Sequence, residues 1–126
     1  MLKELPTMPQ FKIFIKNKLI FISLILALLV NVAIWIILSI KIGKQIEPIA
    51  LHYNIYFGID RIGAWYNIYI LPLGGLLIII FNWLFGLYAY AKDNKNIILG
   101  YFLNFGSLFV QLLLLAASIL LILINK

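Results

Sequence analysis

The chain has 126 residues, of which 65% are hydrophobic, 15% aromatic and only 11% charged. A soluble domain carries about 25% charged residues, so this composition excludes a water-soluble fold and reads as one integral membrane domain over 1–126. The net charge is +6, but the lysines flank apolar runs, which suits anionic lipid headgroups and not nucleic acid. Without cysteine, disulfides, thiolate metal sites and cysteine nucleophiles are excluded as well.

Residues 1–18 read as a basic interfacial head. Pro6 and Pro9 keep the first residues out of a helix, and Lys12 and Lys16, four apart, fall on one helical face beside Phe11, Ile13, Phe14 and Ile15. Residues 19–40 carry no charge and have the length that crosses a bilayer core of ~30 Å. The run is too long for a signal-peptide core and no small-residue cleavage site follows it, so it is an uncleaved first span.

Residues 41–69 form the connection to the second span. After Glu47-Pro48 the stretch IALHYNIYF alternates, with Leu51, Tyr53, Ile55 and Phe57 on one side and His52, Asn54 and Tyr56 on the other. That period argues an extended segment with one apolar face. Gly58-Ile59-Asp60-Arg61 reads as a turn, with Gly58 available for positive φ. Trp65, Tyr66 and Tyr69 then stand where an aromatic belt belongs. So apolar a loop is expected to lie on the helix ends at the membrane surface.

The second span covers 70–91, with Pro72 near its start and small residues at Gly74, Gly75, Gly86 and Ala89 that let helices approach closely. KDNKN, 92–96, is a tight polar turn that makes an antiparallel hairpin of spans two and three. The third span, 97–124, is longer than a bilayer needs. The fold class is therefore all-α integral membrane, with three transmembrane helices and a structured, partly extended extracytoplasmic loop between the first two. Six lysines in the head and the KDNKN turn, against Lys41, Lys44, Arg61 and Lys126 on the other side, put the N-terminus in the cytoplasm. The C-terminus is then extracytoplasmic, in a multi-pass protein of the cytoplasmic (inner) membrane.

Polar residues interrupt every span: Asn31 in the first, Asn82 in the second, and Asn104, Ser107, Gln111 and Ser118 on one side of the third. An amide left facing lipid costs several kcal/mol by order of magnitude, so these groups are expected to face other helices, either as interhelical contacts or as the lining of a polar path. No ionisable residue lies mid-span, so a proton relay has no titrating member.

The loop carries the other candidate site: His52, Tyr53, Asn54, Gly58, Asp60, Arg61 and Trp65. One His and one nearby Asp fall short of the three protein ligands of a catalytic zinc site, and no nucleophile triad or phosphate loop is evident. No metal, cofactor or enzymatic activity is expected. Pro48, His52-Tyr53-Asn54, Gly58, Asp60, Gly63 and Pro72 together resemble the short domain at the N-terminus of bacterial SdpI-type membrane proteins, over about residues 46–80. The chain also resembles small three-span bacterial membrane proteins. Ile59 stands where the SdpI-type pattern has Pro, and the Gly is displaced by one position. The resemblance implies toxin immunity or signalling by sequestering a partner. The expected function is thus an accessory or immunity-type membrane subunit that binds a protein partner or itself through the 41–69 loop and its helix faces. The alternative is a small oligomeric transporter or channel lined by Asn82, Asn104 and Gln111.

Overall fold

The computed structural model describes the backbone of residues 8–125 and the side chains of 11–125. Lys3, Pro6 and Lys126, used in the sequence reading, lie outside the described residues. Among the described residues three helices are long and apolar enough to cross a membrane: α2 (Lys18–Lys41), α3 (Ile70–Lys92) and α4 (Ile97–Ile124). A short helix, α1 (Met8–Lys16), precedes them. Their bounds agree with the spans read from hydropathy to within a residue or two, because uninterrupted apolar length is the dominant local signal. Pro9 differs from expectation. It does not keep its segment out of a helix; it sits in the first turn of α1, where its missing N–H has no intrahelical acceptor to lose.

The chain breaks between α1 and α2 at Asn17, and the break has a chemical cause. Asn17 adopts extended backbone (φ −63°, ψ 120°), and its side-chain oxygen accepts from the Ile20 amide at 3.1 Å. This is N-capping by a residue type suited to it. The Asn17 amide also donates to the Tyr101 hydroxyl of α4 at 2.9 Å. The cap turns α1 back onto the bundle and seats Phe14, which is fully buried, against Trp83 and Tyr90 of α3. Beneath its ring α3 and α4 come close at Gly86 and Gly100. A Cβ on Gly100 would stand 3.0 Å from the Phe14 ring, and one on Gly86 would stand 3.2 Å from the Gly100 backbone. Glycine at both positions makes room for the aromatic plug without displacing it.

Mid-bundle, the three helices meet through amides. Asn31 of α2 donates to the Gln111 side-chain oxygen of α4 and to the Pro72 carbonyl of α3, both at 2.9 Å. Gln111 donates in turn to the Gly75 carbonyl at 2.9 Å, and the Trp35 indole donates to the Asn31 oxygen at 3.0 Å. Gly75 is the contact point. A Cβ there would meet the Gln111 oxygen and a Leu114 methyl at 2.7 Å. Around this knot the outward residues of all three helices are Ile, Leu, Val and Phe, exposed along their length.

The far end, where α2 and α4 finish and α3 begins, carries an apolar cluster of Ile34, Leu38, Ile42, Ile49, Ile68 and Leu121. On it stands a feature that an all-α reading does not contain. The 41–69 connection folds into an antiparallel two-stranded sheet, β1 (Ile49–Asn54) and β2 (Gly58–Gly63), followed by a 3-10 turn over Trp65–Tyr69. The extended segment is therefore one arm of a hairpin. The expected turn at Gly58–Arg61 is instead strand, and the chain reverses at Ile55–Phe57. The reason is local. The Asn54 side chain accepts from the Tyr56 amide at 2.8 Å, closing the turn one step early, and Gly58 supplies the positive φ (+76°) on its exit.

The knot generates a prediction about coupling. Replacing Asn31 or Gln111 alone by Leu strands a buried partner, so each single change should cost roughly 1–2 kcal/mol. The double change removes both partners and should cost less than the sum of the singles. Unfolding in mixed micelles measures this cycle, and strictly additive losses would contradict the pairing.

Candidate functional site

The sequence-predicted polar residues separate into two groups. The first is internal to the bundle. Asn31, Asn104, Ser107, Gln111 and Ser118 are all buried. Asn82 of α3 donates to Ser107 at 2.8 Å and to the Leu103 carbonyl at 3.1 Å, which ties α3 to α4. Asn104 bonds the Gly100 carbonyl of its own helix, and Ser118 bonds that of Leu114. Ser23, which the sequence reading passed over, bonds back to Ile20 in the same way. Among the described residues no buried side-chain polar atom lacks a partner. Asn31, Asn82, Ser107 and Gln111 thus bond across helix interfaces, whereas Asn104 and Ser118, expected as interhelical contacts, bond back to their own helix.

The second group is the hairpin. Its base is fixed by Asn125, just past the end of α4. The Asn125 side-chain oxygen accepts from the Ala50 amide at 2.8 Å, and its NH2 donates to the Ala50 carbonyl at 2.9 Å. One side chain thus pairs with the strand as a neighbouring strand would. Ile49 and Ala50 are buried at this point. Trp35 stacks on Tyr69 at 5.5 Å, Trp65 meets Tyr69 edge-on, and the Tyr69 hydroxyl donates to Ser39, so the return segment is pinned to α2.

Beyond the clamp the strands are irregular. His52 pairs with Arg61 and Tyr53 with Ile59, so Leu51 and Asp60 are extra residues on their strands. Such bulges re-aim side chains. Here they bring the His52 ring nitrogen Nδ1 to 2.6 Å from the Asp60 carboxylate on the open face of the hairpin. Asn54 and Gly58 form the turn described above. Tyr53 is exposed, and Trp65 lies half-buried against the bundle. The hairpin does not lie flat on the helix ends along its whole length: Ile55, Tyr56 and Phe57 at its tip are 81%, 86% and 83% exposed.

Between the hairpin and the start of α3 is a groove of about 350 Å³, bounded by His52, Asp60 and Arg61 on one side and by Asn67, Ile70 and Leu71 on the other. Among the described residues no group of three His, Cys, Asp or Glu side chains could hold a metal. The groove offers one cation, one carboxylate bonded by an imidazole, an amide and an apolar wall. Sequence reasoning missed the roles of Phe14, Asn17, Trp35, Tyr101 and Asn125. Asn17 was accessible in principle, as a capping residue just ahead of an apolar run.

No family model, no curated protein and no solved structure matches the chain.

The Asn125 clamp predicts a local effect. Asn125→Ala should speed amide hydrogen exchange at Ala50 by about fivefold, corresponding to a bond worth ~1 kcal/mol, and leave the mid-span amides of α4 unchanged. Equal protection at Ala50 in both proteins would show that the clamp does not hold the strand.

Proposed function

We propose that the chain is a non-enzymatic multi-pass protein of the cytoplasmic membrane, an accessory or immunity-type subunit whose hairpin docks a protein partner or a second copy. The N-terminal head and the 92–96 turn lie on the cytoplasmic side and the hairpin outside, in keeping with the lysine distribution. The observation that carries this reading is the tip. Ile55, Tyr56 and Phe57 are contiguous, apolar and exposed, on a hairpin clamped at its base. Aromatic residues presented on a rigid support cost little conformational entropy on binding and are enriched among binding hot spots. The SdpI-like pattern of His52, Asn54 and Asp60 supports the same reading, since it implies a protein that acts by sequestering a partner.

The transporter reading has less support. Gln111 bonds Asn31 and the Gly75 carbonyl across the helix interfaces, and Asn104 donates to the Gly100 carbonyl of its own helix, with both side chains buried. Catalysis through His52 and Asp60 lacks a third polar group bonded to the pair among the described residues.

A photoreactive benzoylphenylalanine in place of Tyr56 tests the proposal in native membranes. The expected result is a discrete protein adduct that disappears on Phe57→Asp. Adducts with lipid alone would contradict protein docking through the tip.

A further inference from the structure

The groove beside α3 has a composition that the docking tip does not use. Its inner wall is apolar, made by Leu51, Ile68, Ile70 and Leu71, while its rim carries Asp60, Arg61 and Asn67. Ile70 is exposed and begins the apolar surface of α3, so the wall of the groove runs on into the surface that spans the membrane. Trp35, Trp65, Tyr66 and Tyr69 cluster at the same level, where aromatic belts mark the headgroup region. With that aromatic cluster set at headgroup level, the polar rim of the groove would face the headgroups and its apolar wall the acyl chains.

The rim also keeps exposed hydrogen-bonding groups that no described side chain uses. Among the described residues Arg61 forms no ion pair and no side-chain hydrogen bond, and the Asn67 amide is exposed without a side-chain partner. Asp60 uses Oδ1 for His52, which leaves Oδ2 open. A Cβ on Gly63 would stand 2.6 Å from the end of the Leu51 side chain, so glycine there lets Leu51 keep its place in the groove wall.

We propose that this groove is a binding site for one phospholipid with a zwitterionic phosphoethanolamine headgroup. The planar guanidinium of Arg61 donates paired hydrogen bonds to the phosphodiester, a geometry that arginine matches better than lysine. The Asp60 carboxylate, oriented by His52, accepts from the lipid ammonium. Asn67 donates to the phosphodiester or the glycerol ester, and the acyl chains follow Ile70 and Leu71 down α3. Adjacent opposite charges on the rim select a zwitterion. An anionic headgroup without the ammonium would leave Asp60 facing a second negative group. A volume of about 350 Å³ lies at the small end of the range for ligand pockets, which suits a headgroup and not a whole lipid. The proposal requires the chain to be embedded in a membrane and is independent of any protein partner.

The test uses the full chain in maltoside micelles and an acyl-labelled fluorescent phosphatidylethanolamine, read by anisotropy. Saturable binding is expected, weakened roughly tenfold or more by Arg61→Gln, as for loss of a charge-assisted contact, and weakened also by Asp60→Asn. Unlabelled phosphatidylethanolamine should displace the probe better than phosphatidylglycerol does, and millimolar inorganic phosphate should not displace it. Arg61 is exposed, so the thermal unfolding of Arg61→Gln should match that of the parent; Asn67→Ala provides a second variant if it does not. Equal binding in parent and variants, absence of saturable binding, displacement by inorganic phosphate, or equal competition by phosphatidylglycerol would each overturn the proposal.

Discussion

An amide placed inside an apolar helix must find its partner within the protein, because hydrocarbon offers none. That constraint fixes the middle of this molecule. Asn31 on α2 and Gln111 on α4 bond each other and reach two carbonyls of α3, so one buried knot sets the register of all three helices. Two glycines follow from it and from the aromatic plug. Gly75 admits the Gln111 side chain, and Gly100 admits Phe14. Leu-on-Leu contacts between such helices carry little orientational information, since lipid tails are as apolar as the side chains they would replace. The amides supply the specificity that apolar packing lacks.

The two ends of the bundle are closed by the same device at smaller scale. At one end Asn17 caps α2 and bonds Tyr101, turning α1 inward so that Phe14 fills the gap over the glycine crossing. At the other, Asn125 pairs with both backbone groups of Ala50 and holds the hairpin. A two-stranded hairpin alone is marginal in water. This one stands on an apolar cluster, is pinned by stacked Trp35 and Tyr69, and projects its least soluble residues outward. A side chain that nothing in the bundle covers is available to something outside it.

The three long helices were legible in the sequence because length and hydropathy are local quantities. That Asn104, Gln111 and Ser118 would turn inward was legible too, from the cost of leaving an amide in lipid. Which amide meets which was not, since the partner of Gln111 lies on a helix 80 residues earlier and only the three-dimensional register selects it. The hairpin was legible in part. The alternation through Ile49–Asn54 is a strand, but Gly58-Ile59-Asp60 has the residues of a turn and forms the second strand, because the Asn54 side chain closes the reversal first. The meeting of His52 with Asp60 depends on bulges in both strands, which strict alternation does not reveal. Phe14 looked like one of several apolar residues between lysines. Its burial depends on glycines about 70 to 90 residues away.

The proposal most in need of a test is that the buried polar residues of the spans, those bonded across helix interfaces (Asn31, Asn82, Ser107, Gln111) and those bonded back to their own helix (Asn104, Ser118), are closed to water. The chain contains no cysteine, so near-isosteric Ser107→Cys and Ser118→Cys can each be reconstituted in bilayers and exposed to a membrane-impermeant thiol reagent, with Tyr56→Cys as the exposed reference. The account predicts rapid modification at position 56 and none at 107 or 118 until the protein is unfolded. Modification at 107 or 118 in the folded protein at a rate near that of position 56 would contradict it.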